Sequence, residues 1–399
     1  MTGSPTTPEE QPAPSPLPES MPSKPSSAAA SPFAVPWFVH QLGGLVDRHP
    51  KFWLWLARRE TGWLGERLSS ISVRMPIYVC GLARSGSTIL HEIISAAPGV
   101  ASHRQKDYPL LFMPYWWRRA TANVRPRAPQ ERPHRDGIMV TAESPDALEE
   151  MLWMAFFPDS HDPNVSNLIA ATTDHPDFAA FYDAHLRKLL LAENANRYAA
   201  KNNYHVARLP YLLQLYPDAK FILPIRAPAT HVESLLRQQR WFSQGQREFP
   251  HSLAFMQRSG HFEFGLDRRP MNFGDGERIK HIIDDWEAGN EARGLARYWS
   301  MVYDYLARLL AADENVRRAT QVVRYETLCA SPAETIRALF EHCQLPDSDN
   351  LVARRAGTIR YPTYYQSALS TDELQVIREE TSETASLWGY DENGAVTPN

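Results

Sequence analysis

The sequence predicts an α/β fold in which a central parallel sheet is covered by helices on both faces. Three observations predict it. Short, mainly apolar runs at 75–80, 220–225 and 321–324 are typical of strands buried inside a sheet. Longer segments with apolar residues at helical spacing separate these runs. A turn with two glycines joins the first run to the helix that follows it.

Composition divides the chain into three parts. Residues 1–32 are rich in Pro and Ser with almost nothing to bury, so we expect a disordered tail. Residues 33–70 carry aromatic residues at helical spacing, and we expect a helical lead-in to the main domain at 71–399. Packing of the lead-in against the main domain is the simpler explanation for its aromatic residues. Because basic residues flank them, peripheral contact of 33–68 with a membrane or a partner is the alternative.

The helices expected in the main domain follow in order. The first begins at Ile89, directly after the glycine turn. The segment 241–276 shows no clear period, so we expect a long functional loop or lid there. Further helices are predicted over 178–199, 209–216, 228–239, 281–311 and 332–343.

Composition also excludes several classes of protein. The formal net charge is −4, so no overall basic field draws the chain to nucleic acid or to an anionic membrane. Three cysteines, widely spaced and without a CxxC pair, argue against a disulfide framework or a structural zinc site and fit the reducing cytoplasm. No apolar run reaches the ~18–20 residues of a transmembrane helix, and the start of the chain lacks a signal-peptide pattern.

The turn 81–88 has the composition of a phosphate site. Gly81 and Gly86 allow close backbone approach, and the helix that follows presents its N–H groups and positive end. Arg84 adds a guanidinium suited to phosphate. Hydroxyl donors are Ser85, Ser87 and Thr88. The spacing is P-loop-like, but Ser87 stands where a nucleotide triphosphatase has Lys, which disfavours a kinase or nucleotide hydrolase.

A second candidate anion site follows the run 220–225. Arg226 comes directly after this strand, at the carboxyl end where α/β sheets bind ligands. Ser234 lies eight residues later, on the next helix. A surface salt bridge at Arg226 and a solvated Ser234 are the simpler alternative for this pair alone.

Three segments in order resemble a known family. The segment 76–90 resembles the 5′-phosphosulfate loop of sulfotransferases that use 3′-phosphoadenosine 5′-phosphosulfate (PAPS). The segment from 217 to Ser234 is similar to their 3′-phosphate motif, and 324–346 to their late strand–helix segment. The resemblance is strongest to the bacterial and tyrosylprotein-type enzymes, which carry Arg rather than Lys in the loop.

The resemblance implies a sulfotransferase that moves a sulfuryl group from PAPS, its donor substrate, in line to a hydroxyl or amine, without a metal. Arg84 and residues 85–88 would bind the 5′-phosphosulfate. Arg226 and Ser234 would bind the 3′-phosphate, with Tyr325 near the nucleotide. Lys201 would contact the bridging oxygen, in a motif where Asn203 replaces the usual Pro.

The acceptor must lose a proton, so a general base is expected. Asp107 lies about where related enzymes place a catalytic Glu, and His103, His134 and Glu143 are alternatives. The residues 132–136 lack the spacing of a metal site.

The acceptor stays open between a small molecule, a glycan and a lipid, as does the oligomeric state. An aromatic cluster at 108–117 suits either acceptor stacking or core packing. A non-catalytic adaptor that retains the nucleotide fold is the alternative outside enzymes.

Overall fold

The computed structural model describes residues 31–123, 128–346, 349–361, 368–391 and 394–397. Apart from its last two residues, the tail expected at 1–32 lies outside these ranges. The described residues from Phe33 onward form one compact unit, so the lead-in at 33–70 belongs to the same body as the sheet.

The sheet has five parallel strands in the order β2-β5-β1-β6-β7, which confirms the predicted fold class. Tyr78 in the central strand lies between Ala200 and Phe221 of its two neighbours. Strands β3 and β4 form a separate antiparallel pair. The strands are β1 Ile77–Val79, β2 Val100–Ala101, β3 Gln130–Glu131, β4 Met139–Val140, β5 Arg197–Lys201, β6 Lys220–Ile225 and β7 Thr320–Arg324.

Helices cover both faces of the sheet. The first eight are α1 Trp37–Arg48, α2 Pro50–Leu64, α3 Glu66–Ser69, α4 Ser87–Ser95, α5 Pro114–Thr121, α6 Glu150–Met154, α7 Pro176–Glu193 and α8 Leu209–Leu215. The others are α9 Pro228–Glu248, α10 Pro250–Ser259, α11 Gly276–Glu287, α12 Glu291–Ala312, α13 Glu314–Ala319, α14 Tyr325–Ala330, α15 Pro332–His342, α16 Asp349–Ala356 and α17 Thr371–Leu387. Short 3₁₀ turns span Gln105–Asp107 and Asn203–Ala207.

Alternation along the strands builds two cores. Ile77 and Val79 of β1 point to the face covered by α4, α15 and α16. Tyr78, one residue out of phase, points to the other face, which is covered by α7, α8 and α12. Because both faces are buried, β1 is apolar throughout and β6 is apolar from Phe221 onward, which is why these two runs could be recognised in the sequence.

The sequence missed one central strand. A helix was predicted to run from 178 to 199, but α7 ends at Glu193 and Arg197–Lys201 is β5. Asn194 adopts a left-handed conformation (φ 50°) and caps the helix, which reverses the chain toward the sheet. The strand's two alanines have low strand propensity, so its own composition gave no signal.

Two helix boundaries also differ from the prediction. The helix expected over 281–311 is two helices, because Gly289 (φ 80°) breaks it between α11 and α12. The helix expected to end near 239 continues to Glu248, and α10 follows, so the irregular part of 241–276 is confined to 260–275. No helix in the described ranges is long and apolar enough to cross a bilayer.

Candidate active site

The glycine turn, residues Gly81–Thr88, connects β1 to α4 at the carboxyl edge of the sheet. Gly86 (φ 102°) precedes the helix in a left-handed conformation, and a Cβ there would lie 2.9 Å from the Tyr325 ring. A Cβ on Gly81 would lie 2.9 Å from the carbonyl oxygen of Pro224. Both positions therefore require glycine, and the first N–H groups of α4 face the turn.

The glycine turn rests on buried polar partners. The Nε2–H of His231 donates to the carbonyl oxygen of Ala83 (2.8 Å), and its Nδ1 accepts from the Trp299 indole (3.2 Å). Burial lowers the pKa of His231 to about 3, so the ring is neutral and keeps this tautomer. Ser85 is also buried and donates to the Leu82 carbonyl (2.7 Å). These buried hydrogen bonds thus fix the backbone conformation of the turn.

Two arginines meet at the rim of the turn. Arg84 donates to the carboxylate of Asp136 (2.7 Å), and Arg132 binds the same carboxylate through two nitrogens. Arg132 also donates to the Thr88 hydroxyl (3.1 Å). Burial alone would raise the pKa of Asp136, but Arg132 and Arg84 outweigh it and hold that pKa well below its usual range. Two guanidinium charges therefore face one carboxylate charge.

The second predicted site lies directly beside the first. Arg84 Nε donates to the hydroxyl of Ser234 (3.3 Å), so the two motifs, 150 residues apart in sequence, touch. The guanidinium of Arg226 lies 4.8 Å from the centre of the Tyr325 ring and donates to the Thr230 hydroxyl (3.2 Å). The structure therefore brings the predicted residues of both motifs into one cluster.

Arg226 is the unusual member of this cluster. Only 8% of its surface is exposed, yet within the described ranges no carboxylate pairs with it. A buried guanidinium without an anionic partner is costly in a protein interior. Its contacts are a hydroxyl and an aromatic face, which leave donor capacity for an anion.

Lys201 ends β5, next to the strand that leads into the glycine turn. Burial lowers the pKa of Lys201. The negative charge of Glu263 opposes this shift, and the positive charges of Arg132 and Arg84 add to it. Lys201 thus lies within electrostatic range of Arg84 in the turn and of Arg132 at its rim.

A histidine–carboxylate pair interacts electrostatically with Lys201. In the 260–275 loop, His261 Nδ1 is 3.4 Å from Glu263 Oε2. Burial would lower the pKa of His261, but the Glu263 carboxylate outweighs burial and raises it. Burial would raise the pKa of Glu263, but His261 and then Lys201 lower it to about 2.

A small cavity joins this pair to the glycine turn. Asn203, after β5, donates to Glu263 Oε1 (2.6 Å), and its buried Oδ1 has no hydrogen-bond partner in the part of the chain described. The cavity walls are Leu82, Ala83, Asn203, Tyr204, Leu235, Glu263, Arg268, Arg269, Met271, Trp286, Leu295 and Tyr298.

Comparison with known proteins agrees with this arrangement. Residues 76–264 match the model of the sulfotransferase family, a range that holds the glycine turn, Lys201, Arg226 and Ser234. Over residues 76–264 the chain belongs to the sulfotransferase family. It is accordingly an enzyme of the transferase class. No curated protein sequence matches the chain significantly.

Several solved structures are similar to this sulfotransferase. Sulfotransferase STF1 of Mycobacterium tuberculosis is 20% identical, with a TM-score of 0.45 and 86% of each chain covered. STF9 of Mycobacterium avium is 16% identical, with a TM-score of 0.46, over 82% of this chain and 80% of that one. The sulfotransferase domain of a Synechococcus olefin synthase is 12% identical, with a TM-score of 0.34, over 77% and 95%.

Asp107, the expected general base, does not join the cluster of this sulfotransferase. Its carboxylate is 1% exposed and is bound by Arg118 Nη2 (2.6 Å), while its Oδ2 caps the Arg104 N–H (2.8 Å). Burial would raise the pKa of Asp107, but His103 and Arg118 outweigh it and hold the pKa well below its usual range. The structure thus gives Asp107 the contacts of a structural anion.

The three alternatives are each buried or paired with other residues. His103 is 1% exposed and lies beside Asp107 and His185. His134 donates through Nδ1 to Gln238 (2.9 Å), and burial lowers its pKa well below the usual value. Glu143 is on the surface, paired with Arg104 (2.5 Å) and Lys106 (2.6 Å). Within the aromatic cluster, Phe112 and Tyr115 are buried in the cores.

Sequence reasoning missed the partners that lie far away in the chain. Arg132 and Asp136 were weighed only as a metal site, and the ion pair that they form across a turn was not expected. Among the described residues no group of three or more His, Cys, Asp or Glu is arranged to hold a metal ion. His261 and Glu263 carried no recognisable motif.

Proposed function

We propose that this sulfotransferase uses PAPS as donor and transfers its sulfuryl group to a hydroxyl or amine of a small molecule, glycan or lipid. The observation that carries the proposal is Arg226, a buried guanidinium without a carboxylate partner among the described residues, beside a glycine turn whose backbone conformation suits an anion. One anion site suits many nucleotides. Two adjacent sites suit a nucleotide with phosphate at both the 3′ and 5′ positions.

Each end of the donor has its own partners in this proposal. The 5′-phosphosulfate binds the N–H groups of the glycine turn, the hydroxyls of residues 85–88, and Arg84. Because Arg84 and Arg132 share one carboxylate, one positive charge remains for this group. The 3′-phosphate binds Arg226 and Ser234, with Tyr325 fixing the guanidinium from its other face.

The chemical step is an in-line displacement at sulfur. The acceptor oxygen or nitrogen forms a bond to sulfur as the bond from sulfur to the bridging phosphate oxygen breaks. Adenosine 3′,5′-bisphosphate leaves with the electron pair of that bond, and the acceptor proton passes to a base. Lys201, coupled to Arg84 and lying at the end of β5, stabilises the charge that grows on the bridging oxygen.

We assign the role of general base to the His261–Glu263 pair rather than to Asp107. Glu263 faces Nδ1 of His261, so the carboxylate orients the ring and Nε2 is left to accept the proton. About a quarter of the His261 side chain is exposed, whereas Asp107 is buried against Arg118. A base must reach the acceptor, so accessibility favours His261.

Asn203 completes the proposed acceptor side. It replaces the proline expected at this place, and its amide bridges Glu263 and the cavity beside the glycine turn. The unpartnered Oδ1 would accept a hydrogen bond from an O–H or N–H of the acceptor. Asn203 would thereby align the nucleophile between Lys201 and His261.

The structure describes all three cysteines, and none is paired. Free Cys80, Cys329 and Cys343 support our inference of a reducing compartment, the cytoplasm.

Two measurements test the proposal. In thermal shift, adenosine 3′,5′-bisphosphate should stabilise the protein, and ATP with magnesium should not reproduce the effect. With ³⁵S-labelled PAPS and extracts of the source cells, a labelled product should form and be identified by mass spectrometry. A response to ATP–magnesium alone would favour a kinase or hydrolase, and a response to neither nucleotide would favour the adaptor.

A further inference from the structure

The outer face of α2 exposes aromatic side chains that the core does not use. Phe52, Trp55 and Trp63 are 50%, 48% and 63% exposed, and their spacing places them on one stripe of the helix with Arg59. A different stripe of α2 packs against the core, because Trp53 and Leu64 on that stripe are buried. Core packing, the simpler explanation of the lead-in, therefore accounts for only part of its aromatic residues.

This exposure is local. Among the large hydrophobic side chains that are exposed in the described ranges, every Trp and Phe lies between Trp37 and Trp63. Helix α1, joined to α2 through His49 alone, adds Trp37 (71% exposed), Phe38 (60%) and Leu45 (42%). Such a concentration of apolar surface marks a contact site.

The charge around the stripe is positive. Between Trp37 and Ser69 the exposed basic residues are Arg48, Lys51, Arg58, Arg59 and Arg67, against two exposed acidic residues, Asp47 and Glu66. The surplus of three positive charges contrasts with the net charge of −4 for the whole chain.

Arginines are held directly on the aromatic rings. The Arg59 guanidinium lies 5.1 Å from the Trp55 ring centre. At the other end of the stripe Trp63 contacts the ring of Tyr115, which carries Arg67 and Arg119 at 5.4 and 5.8 Å. Guanidinium groups therefore lie beside aromatic rings at both ends of the stripe, a combination that suits the boundary of lipid headgroups and acyl chains.

We propose that the outer face of α2, defined by Phe52, Trp55, Arg59 and Trp63 and extended by α1, docks on an anionic membrane surface. Aromatic side chains enter the interface, and the basic residues bind the lipid headgroups. A second copy of the chain is a poorer occupant, because a symmetric contact would bring the same positive surplus together on both sides. Docking of this kind would set the enzyme on the membrane without a spanning helix.

Vesicle co-sedimentation of the full chain tests the proposal. The protein should pellet with vesicles of phosphatidylcholine plus phosphatidylserine and much less with phosphatidylcholine alone. The double variant Trp55→Ser/Trp63→Ser should bind the anionic vesicles on the order of tenfold more weakly. The matched control, Met139→Ser/Leu387→Ser, removes two side chains of similar exposure (55% and 60%) elsewhere and should bind like wild type.

A second pair of variants tests the charge. Arg58→Gln/Arg59→Gln should weaken binding about 30-fold, because each basic residue near an anionic surface contributes about 1 kcal/mol, or fivefold. Arg308→Gln/Arg317→Gln, on exposed sites elsewhere, is the control. The thermal shift with adenosine 3′,5′-bisphosphate should be unchanged in all four variants, which separates docking from the active site.

Three results would overturn the proposal. Wild-type protein could fail to bind anionic vesicles, or the aromatic and basic variants could bind as wild type does. Wild type could instead self-associate in sedimentation velocity without binding vesicles, with Trp55→Ser/Trp63→Ser becoming monomeric, which would make the face an interface between copies.

Discussion

Replacing Arg226 by alanine should reduce affinity for adenosine 3′,5′-bisphosphate and leave affinity for adenosine 5′-monophosphate nearly unchanged. The guanidinium is buried, and its Nε is already bound to Thr230, so the other nitrogens are the donors for the 3′-phosphate. A charge-assisted hydrogen bond is worth ~1.5–3 kcal/mol. The loss corresponds to about 10- to 150-fold in the dissociation constant.

The fold should tolerate this change better than most losses of a buried charge. Removal of one partner from a buried ion pair strands the other, but Arg226 has no carboxylate partner in the described ranges to strand. The melting temperature of the free protein should therefore stay within a few degrees of wild type. Arg226→Lys keeps the charge but loses the planar fork and should give an intermediate affinity.

Isothermal titration calorimetry with the two nucleotides gives the ratio of their dissociation constants directly. Arg308→Ala, an exposed arginine paired with Asp304, is the control and should keep the wild-type ratio. A ratio that is the same in wild type and Arg226→Ala would place the 3′-phosphate elsewhere and refute the reasoning, even if both affinities fell together.

Four further predictions follow from the contacts of the site. Arg84→Ala should weaken PAPS binding and lower turnover about 10- to 100-fold; unchanged turnover would contradict its role. A neutral His261 must accept the proton, so turnover of the identified acceptor should fall as the pH drops through a pKa above 6.5. Glu263→Gln should move this acidic limb of the pH–rate profile to lower pH. A limb that stays in place in Glu263→Gln would assign the base elsewhere. Asp107→Asn should lower the free energy of unfolding in urea by ~3–5 kcal/mol, because Arg118 loses its buried partner. The control Glu143→Gln, at an exposed residue, should change this free energy little. A stable Asp107→Asn variant with a turnover lowered ~10²–10⁴-fold would restore Asp107 as the base. His231→Phe leaves the Ala83 carbonyl without its donor and should cost ~1–3 kcal/mol in the same assay.

The pH dependence expected from Asp107 has a definite sign. Its pKa is lower in the folded than in the unfolded protein, so its contribution to stability is present above the unfolded value of ~4 and is lost as the pH falls. Acid unfolding monitored by circular dichroism should show this loss in wild type and less of it in Asp107→Asn.

The sequence determined the parts of the protein that are local in the chain. The strand segments 77–79 and 221–225 are continuous apolar runs, and the glycine turn is eight successive residues, so the fold class and both candidate anion motifs could be predicted from composition and spacing. The strand 197–201 escaped because its alanines and flanking Arg and Lys have no strand character of their own. It is a strand because β1 and β2 lie on either side of it.

Only the tertiary structure decided which charges face one another. Arg84 touches Ser234 across 150 residues, Arg118 takes up the carboxylate of Asp107, and the 260–275 loop brings His261 and Glu263 to Lys201. Proximity to a motif in sequence favoured Asp107 as the base, but accessibility and pairing depend on which helix packs against it. Local sequence patterns determine the backbone conformation through sterics and burial. The pKa of a side chain, and whether that side chain can reach the acceptor, depend on neighbours that only the folded chain brings together.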